Sequence, residues 1–513
     1  MFLTQGLQRA ATIHPHGVST IFRDRRRTWA ETADRISRIA GGLADLGLGI
    51  GDRAAILALN SDRYFEVLYA VPAAGAIIVP LNTRLAPPEI DFILEDSGAM
   101  LLLVDDAFAA MPAQLTQMAS VKQVIYLGDG PTPAGMMGYE SLLGEPFKTE
   151  TPAGGHDIAG IFYTGGTTGR SKGVMLTHDN LVSNAAMMAP AVGYRHDSIY
   201  VHAAPMFHLA DGASTFAISM VGGTHVFVAR FDPAELLAEI VRTKATNTLL
   251  VPTMINALAN FPTVGDYDVS TLRVIPYGAS PMPDAVLQAA TRAFPTVQFL
   301  HVYGMSEASP LVTTMDRNIT VTGDRQKSCG LPGMLVEVRI ADENDQEVPR
   351  GTVGEVQVRG PNIMRGYWNL PDVTAAALRG GWYHSADGGM MDADGYVYIV
   401  DRLKDMIISG GENIYSAEVE SAISLLDGVS EVAVIGIPDD KWGETVHAVV
   451  VPKAGRTLTS EQVIAHSRTQ IAGYKCPRSV EIRATPLPLS GAGKVLKTNL
   501  REKFWAGRSK QVS

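Results

Sequence analysis

Two long stretches of the chain alternate short apolar runs with helical segments, and this alternation most limits the folds available to it. Strands that alternate with helices predict parallel sheets in α/β layers. Within residues 1–150 the apolar runs are 54–59, 76–81, 101–104 and 124–127, with helical spacing over 29–48 and 65–74. Within residues 200–310 the predicted strands are 223–228, 248–252, 272–275 and 298–302, with a helix opened by Asp232 and Pro233.

The chain becomes β-rich from about residue 330 and then ends in a compact mixed segment. A chain of 513 residues is too long for one ordinary core. We therefore predict an α/β fold with a large N-terminal domain over 1–402, built from layered sheets and a β-rich subdomain. A small α+β domain over 403–513 is joined to it by a hinge. The segments that carry this prediction are strands at 337–340, 354–358, 395–400, 431–437 and 446–451, and helices at 416–426, 460–471 and from 496.

Composition excludes several classes of protein. A formal net charge of −10 and a pI near 5.7 argue against a nucleic-acid partner, whose binding surface should be basic. Cys329 and Cys476 are the only cysteines, which excludes a disulfide scaffold and indicates the cytoplasm. We find no signal peptide and no membrane-spanning apolar run, so we expect no integral membrane segment. Transient peripheral contact with a membrane remains compatible with this composition.

Residues 163–174, Tyr-Thr-Gly-Gly-Thr-Thr-Gly-Arg-Ser-Lys-Gly-Val, concentrate glycines, hydroxyls and cations. They follow the apolar run 158–163 and precede Thr177 and Asn180, which are typical helix-capping residues. We therefore place the stretch between a strand and a helix. Glycine allows main-chain N–H groups to face an anion, and hydroxyls and cations add donors and charge. The stretch predicts a polyphosphate site, although its spacing is not that of a Walker A loop.

This stretch resembles the phosphate loop of the adenylate-forming superfamily, which includes acyl- and aryl-CoA synthetases, luciferases and peptide-synthetase adenylation domains. Gly165 stands where that family commonly has serine, and Ser171 where it commonly has proline. The loss of the serine removes one phosphate contact. The resemblance covers essentially the whole chain. It implies that the phosphates of ATP are bound by Thr164, Gly165, Gly166, Thr167, Thr168, Gly169 and Lys172.

The segment His301-Val302-Tyr303-Gly304-Met305-Ser306-Glu307 is similar to a second motif of the family. The resemblance implies that Tyr303 stacks on adenine, that Gly304 and Ser306 line the nucleotide, and that Glu307 is catalytic and binds Mg²⁺. Val302 replaces the glycine that relatives often carry beside the acid pocket. A valine there would narrow the pocket, which hints at a shorter or flatter acid.

Two further motifs resemble the family's ribose and hinge segments. Trp382 to Gly388 implies that Asp387 accepts hydrogen bonds from the ribose hydroxyls, with Ala386 in place of the usual glycine. Residues 401–414 imply that Arg402 binds the nucleotide sugar-phosphate and that Lys404 is the hinge. In the same segment, the resemblance assigns contact with the pantetheine arm of CoA to Gly410 and Gly411.

Three matches complete the predicted site. Lys494, on the turn Gly491-Ala492-Gly493, resembles the mobile lysine that bridges the acid carboxylate and the α-phosphate. Residues 205–208 resemble an acid-pocket segment and suggest that His208 lies near the substrate carboxylate. The turn 277–281 resembles one beside adenine and acid. It adds Gly278, Ala279 and Ser280 to the nucleotide-binding residues.

Together these motifs imply an AMP-forming acid–CoA ligase that uses ATP, Mg²⁺ and CoA. A carboxylate attacks the α-phosphate, pyrophosphate leaves, and the CoA thiol then attacks the acyl-adenylate. A medium- or long-chain fatty acid is our first expectation for the acid, and a hydroxycinnamate or benzoate is the alternative. A carrier-protein acceptor, a luciferase-like oxidase and a non-catalytic adenine-nucleotide-binding protein are rival functions. The chemistry needs only one chain, and a homodimer is the alternative assembly.

Overall fold

The computed structural model describes the chain apart from residues 149–152, 165–170, 281, 317–324, 326, 403–404, 411, 440, 490–494 and 507–513, and apart from the side chain of residue 402. The helices of the described residues are α1 (Gln5–Ile13), α2 (Trp29–Asp45), α3 (Asp62–Ala73), α4 (Pro87–Ser97), α5 (His178–Val192), α6 (Leu209–Val221), α7 (Pro233–Thr243), α8 (Pro252–Ala259), α9 (Asp284–Ala293), α10 (Pro371–Ala377), α11 (Ser416–Ser424), α12 (Ser460–Gln470) and α13 (Lys497–Trp505).

The strands of the described residues lie throughout the chain. They are β1 (Val18–Phe22), β2 (Arg25–Thr28), β3 (Arg53–Leu57), β4 (Ile77–Pro80), β5 (Leu101–Val104), β6 (Gln123–Tyr126), β7 (Met137–Gly138), β8 (Ile158–Thr164), β9 (Lys172–Thr177), β10 (Ile199–His202), β11 (Thr224–Phe227), β12 (Val274–Tyr277), β13 (Gln298–Gly304), β14 (Leu311–Thr314), β15 (Leu331–Pro332), β16 (Glu337–Ala341), β17 (Gly354–Arg359), β18 (Gly366–Tyr367), β19 (Tyr383–Met391), β20 (Val397–Arg402), β21 (Ile407–Ser409), β22 (Glu412–Ile414), β23 (Val429–Asp439), β24 (Gly443–Pro452) and β25 (Ser479–Ile482).

The first sheet has the strand order β18-β9-β8-β4-β3-β5-β6-β7. Its strands from β8 to β7 are parallel, as the alternation of strands and helices predicts. Strands β9 and β18 extend the sheet in antiparallel pairing. The apolar runs of residues 1–150 therefore form one sheet with continuously apolar strands, which is typical of a sheet covered on both faces.

The second sheet joins two sets of strands, β10-β11-β1-β2 and β12-β13-β14-β15. Parallel bridges at Asn247 and Leu250 connect β10 with β12. The prediction of a strand over 248–252 is wrong in extent, because only these isolated bridges form. The chain turns into α8 at Pro252, where proline suits the first position of a helix.

Helices α2, α3, α5 and α6 lie between the two sheets and share one core with them. Trp29, at the start of α2, is fully buried, and α3 is buried on nearly all sides. The outer face of the second sheet packs on α7, α8 and α9, and that of the first sheet on α4. The large domain is therefore layered, helix–sheet–helix–sheet–helix, and this arrangement confirms the predicted layered sheets.

The β-rich subdomain is the antiparallel sheet β16-β17-β19-β20. The small domain has a five-stranded sheet, β22-β21-β24-β23 with β25 on β24, packed on α11, α12 and α13. Asp401, at the end of β20, accepts hydrogen bonds from the main chain and side chain of Ser416, at the start of α11. This contact joins the two domains next to the predicted hinge.

Among the described helices, none combines the length and the apolar character needed to cross a membrane.

Candidate active site

The phosphate loop joins two strands and not a strand and a helix. Strands β8 and β9 are antiparallel, and Thr164 pairs with Lys172 at their open end. The helix predicted after the loop begins only at His178, where Thr177 caps it together with Asn180. Strand β9 therefore separates the loop from the helix, which corrects the predicted placement. Gly165, Gly166, Thr167, Thr168 and Gly169 lie outside the described residues.

One edge of the second sheet collects the predicted acid and adenine residues. Strands β10, β11, β12 and β13 run parallel, so their carboxyl ends meet at the same edge, where α/β sheets bind ligands. The chain leaving β10 leads to His208. Strand β12 ends in the turn 278–280, and β13 ends at Tyr303 and Gly304. The structure thus brings together three motifs that are distant in sequence.

Two glycines at this edge are required by close packing. A Cβ on Gly278 would lie 2.1 Å from the main-chain oxygen of Val302, and one on Gly304 would lie 1.7 Å from that of Pro310. Ala279 has a φ of 66°, in the left-handed region, and Ser280 follows it half-buried. The turn after β12 therefore lies directly against the Val302 end of β13.

Tyr303 and Asp387 form the predicted nucleotide-binding pair. The Tyr303 hydroxyl donates to Asp387 Oδ2 over 2.6 Å. Burial, followed by the charge of Asp387, raises the pKa of Tyr303 well above its ordinary value, so the phenol stays a donor. Asp387 is also the register partner of Arg402 on β20. The carboxylate predicted to bind ribose is thus fixed beside the ring predicted to stack on adenine.

The part of strand β19 that carries Asp387 is held by Glu355. Ala386 has a left-handed φ of 57°, which explains why relatives use glycine there. Its N–H donates to Glu355 Oε1 over 3.0 Å, and the other carboxylate oxygen of Glu355 lies 2.7 Å from His384 Nδ1. The Asp387 N–H donates to Ser385 Oγ. These contacts hold an alanine in the strained conformation.

Glu307 meets a residue that the sequence analysis missed. Glu307 and Ser306 form a short 3₁₀ turn after β13, and the Tyr367 hydroxyl donates to Glu307 Oε1 over 2.9 Å. Lys172 Nζ lies over the ring of the same tyrosine, 5.2 Å from its centre. Tyr367 follows glycine in the segment Arg365-Gly366-Tyr367-Trp368, and that aromatic pair was the only signal available in the sequence.

The carboxylate oxygens of Glu307 fit the ligand preference of Mg²⁺. One carboxylate oxygen accepts from Tyr367, and the carboxylate has a second oxygen of the hard type that Mg²⁺ prefers. Such an ion binds through one or two carboxylates together with substrate phosphates. Glu307 and a nucleotide phosphate would supply that set.

His208 caps helix α6 with its ring. The Ala210 N–H donates to His208 Nδ1 over 3.1 Å, so a neutral imidazole carries its proton on Nε2. That proton suits a carboxylate acceptor. The segment before His208 is held by buried Asn60, whose amide donates to the oxygens of His202 and Ala204 and accepts from the Met206 N–H. The sequence analysis missed Asn60, a polar residue directly after an apolar strand.

A series of fully buried polar side chains supports the first turn of α6. Asp211 accepts from the Tyr200 hydroxyl over 2.7 Å and lies 2.6 Å from His202 Nδ1. His202 Nε2 is 3.0 Å from His225 Nδ1, and His225 Nε2 is 3.1 Å from Ser219 Oγ. Burial lowers the pKa of His225 well below its usual value. These hydrogen-bonded side chains lie inside the core, so we assign to them the positioning of α6.

Gly410 forms the turn between β21 and β22 with a φ of 63°. A Cβ there would lie 2.6 Å from the Trp442 indole, and the Gly410 N–H donates to the Trp442 oxygen. Lys441 and Arg478 place cations 4.7 and 4.8 Å from the indole ring. The other small-domain predictions fall outside the described residues: the side chain of Arg402, and Lys404, Gly411 and Lys494.

Among the described residues, one group has the arrangement of metal ligands: Asp345, Glu355 and His384. The Gln357 amide already donates to Asp345 and Glu355, and Arg379 binds Asp345 through two nitrogens. These donors satisfy the carboxylates. We therefore interpret the group as a hydrogen-bond network that supports the part of β19 that carries Asp387.

Comparison with known proteins identifies the family. The model of the AMP-binding enzymes matches residues 7–368, and that of the AMP-binding enzyme C-terminal domain matches residues 418–494. The chain belongs to this adenylate-forming superfamily, and the match confirms the predicted resemblance. A small C-terminal domain is confirmed as well, while the boundary at residue 402 stays a prediction.

Two relatives and one solved structure align over nearly the full length. A feruloyl-CoA synthase of Amycolatopsis sp. is 40% identical over 97% of this chain and 98% of its own. The long-chain-fatty-acid–CoA ligase FadD13 of Mycobacterium tuberculosis is 34% identical, with 98% of each chain covered. ATP-bound MatB from Rhodopseudomonas palustris superposes with a TM-score of 0.89 at 31% identity, over 99% of each chain. The protein is therefore an acid–CoA ligase that uses ATP and CoA.

Proposed function

We propose that the acid is aromatic and that a hydroxycinnamate such as ferulate is the preferred substrate. The observation that carries this proposal is the 40% identity with a feruloyl-CoA synthase, against 34% with a long-chain ligase, at similar coverage. The first expectation from the sequence, a fatty acid, is not supported by this ranking. The aromatic alternative now takes its place.

Val302 supports the same choice. Its Cγ2 would lie 3.2 Å from a Cβ on Gly278, so the side chain points toward the turn after β12. A glycine at this position would have no side chain to occupy that space. A valine next to that turn shortens the pocket, which suits a flat ring better than a long alkyl chain.

In the first step, the chain's own groups orient the acid and ATP. The His208 Nε2–H donates to the substrate carboxylate, Tyr303 stacks on adenine, and Asp387 accepts from ribose. Lys172 and the phosphate loop neutralise phosphate charge, and Lys494 joins the carboxylate to the α-phosphate as the bond forms. Bound at Glu307, Mg²⁺ would supply further neutralisation of charge on the phosphate oxygens.

In the second step, the CoA thiol attacks the adenylate carbonyl and AMP leaves. We assign the boundary to residues 402 and 403 and the hinge to Lys404. The face around Gly410 is supported as the CoA side by the Trp442 indole and the cations of Lys441 and Arg478, which suit a nucleotide with phosphates. Cytoplasmic location and a homodimer stay predictions.

The test is pyrophosphate release with ATP and Mg²⁺ over ferulate, coumarate, benzoate and fatty acids of increasing length, with and without CoA. We expect ferulate or coumarate to give the highest kcat/KM and CoA to be required for turnover. Val302→Gly should raise kcat/KM for long fatty acids relative to ferulate by about tenfold. A change of one or two methylenes in a hydrophobic pocket has an effect of this size.

Each other outcome identifies a rival. A rate that rises with chain length would establish the fatty-acid alternative. Turnover that does not depend on CoA would indicate another acceptor, such as a carrier protein. Absence of release with every acid, with ATP still bound, would indicate a nucleotide-binding protein.

A further inference from the structure

Tyr367 contacts two groups of opposite charge that come from different parts of the chain. Its hydroxyl donates to Glu307 Oε1 over 2.9 Å, and its ring face lies under Lys172 Nζ, 5.2 Å from the ring centre. The side chain is buried, with the residue 8% exposed. Burial and the neighbouring Glu307 raise the pKa of Tyr367 above its ordinary value, so its hydroxyl remains a donor.

The Tyr367 ring has little freedom to move, because strand β18 is hydrogen-bonded on both sides. Tyr367 is the register partner of Val174, two residues after Lys172. Its N–H donates to Thr374 Oγ1 over 2.9 Å, and the Trp368 N–H donates to the Gly173 oxygen over 2.7 Å. Strand β18 is thus attached both to the end of the phosphate loop and to helix α10.

The same segment also holds the main chain of Glu307. The Met364 N–H donates to the Glu307 oxygen over 2.8 Å. Glu307 is therefore tied at its main chain and at one carboxylate oxygen to residues 364–367. Its second carboxylate oxygen is the one that we assign to metal and phosphate.

We propose that Tyr367 is a positioning residue for adenylation, which holds Lys172 on its ring face and one oxygen of Glu307 on its hydroxyl. Lys172 and Glu307 carry opposite charges that attract each other, and Tyr367 contacts both of them. With the tyrosine in place, the ammonium stays available to phosphate and the second carboxylate oxygen to Mg²⁺. This inference rests on the proposed function, since it assigns the two charges to the adenylation site.

Two substitutions separate the roles of hydroxyl and ring. Tyr367→Phe keeps the ring and its burial and removes only the donor to Glu307. Tyr367→Leu removes the ring face under Lys172 as well. Tyr139→Phe is the matched control, because the buried Tyr139 hydroxyl donates to Glu66 Oε2 over 3.0 Å, a carboxylate outside the active site.

Calorimetry measures the affinity for ATP, in Mg²⁺ and in EDTA, and so tests the site without turnover. In the wild type we expect Mg²⁺ to tighten ATP binding. Tyr367→Phe should reduce that Mg²⁺-dependent gain by about tenfold, a typical loss for a residue that orients a metal ligand. Tyr367→Leu should weaken binding in EDTA too, because Lys172 loses its support. Tyr139→Phe should leave both affinities unchanged.

Pyrophosphate release gives the second readout. Tyr367→Phe should raise the Mg²⁺ concentration for half-maximal rate and lower kcat, with KM for the acid within twofold of the wild type. In a Glu307→Gln background, Tyr367→Phe should have no further effect on the Mg²⁺ dependence. An unchanged Mg²⁺ dependence in a folded Tyr367→Phe protein would overturn the proposal. A wild type that binds MgATP but activates no acid would overturn the proposed function instead.

Discussion

His208 combines an observed contact in the fold with a proposed role in the chemistry. Its Nδ1 caps α6, and its Nε2–H is the group assigned to the substrate carboxylate. His208→Asn keeps a side-chain acceptor for the cap, while its shorter side chain places no N–H at the position of the His208 Nε2–H. We expect KM for the acid to rise about tenfold, the loss of one hydrogen bond to a charged group, with an unchanged melting temperature.

The control for this prediction is His208→Ala, which removes cap and donor together. It should also lower the free energy of unfolding, by about 1 kcal/mol. Equal KM values for the wild type and His208→Asn would place the acid elsewhere.

Substitution of Gly304 by alanine tests the close packing at the end of β13. A Cβ on Gly304 would lie 1.7 Å from the Pro310 main-chain oxygen, so Gly304→Ala must displace the backbone. We expect a loss of about 3 kcal/mol in the free energy of unfolding, measured with urea. Gly265→Ala is the control, since a Cβ there meets nothing within 4 Å. A variant as stable as the control would contradict the described geometry.

Residues inside a motif could be predicted from the sequence, and their partners could not. The Tyr303 and Asp387 motifs each identify a role, and the structure joins the two side chains. Tyr367 carries no such signal, because its contacts with Lys172 and Glu307 exist only where β18 meets β9. Asn60 is similar, because the segment that it holds lies more than a hundred residues away in sequence.

At the scale of elements, His178 joins α5 to the N-terminal segment and makes that junction sensitive to pH. Its Nδ1 accepts from the Leu3 N–H over 3.1 Å, and burial lowers the pKa of His178 to about 4. As pH falls below about 6.5, the unfolded chain binds the proton before the folded one does, so stability is lost progressively. Between pH 6.5 and 5 the loss is about 2 kcal/mol.

His178→Asn keeps an acceptor for Leu3 and cannot titrate. Urea unfolding at pH 6.5 and pH 5 should show a smaller loss of stability in the variant, by about 2 kcal/mol. Other buried histidines titrate in both proteins, so the difference between the two slopes isolates His178. Parallel slopes would mean that folding does not lower the pKa of His178.

Periodicity predicted the elements well and their pairing less well. Helices α2 and α7 begin at the predicted residues, because helical spacing marks the first and the capping pair Asp232-Pro233 marks the second. The strand before the phosphate loop was predicted too. The hairpin of β8 and β9 was not, because residues 172–177 contain too few apolar positions to mark a strand beside so many glycines. The strand predicted at 248–252 does not form, because isolated bridges at Asn247 and Leu250 replace a continuous ladder.

At the scale of the whole molecule, the proposal divides the two steps between two domains. Lys494 lies in the segment matched by the C-terminal family model, and we assign it to the first step only. Lys494→Ala should slow acyl-adenylate formation by at least about a hundredfold, as for the loss of one charge-stabilising group. Thioester formation from supplied acyl-adenylate and CoA should stay within threefold. Lys503→Ala, at an exposed ion pair with Glu481, is the control. Equal losses in both half-reactions would contradict the division.

The two-domain plan could be predicted from the sequence, because the change from layered α/β to a compact α+β segment is visible in the pattern. The contact of Asp401 with Ser416 could not, since it depends on how β20 meets α11 in three dimensions. The acid could not be ranked either. The residues proposed for the acid pocket, such as Val302 and His208, come from separate strand ends, and only the structure places them on one edge.

The preference for an aromatic acid is tested most directly by competition in one reaction. Equal concentrations of ferulate, benzoate, octanoate and palmitate compete for the purified protein with ATP, Mg²⁺ and CoA, and the CoA thioesters are identified by mass spectrometry. We predict that feruloyl-CoA is the main product at early times. Palmitoyl-CoA or octanoyl-CoA as the main product would contradict the account and return the fatty acid to first place.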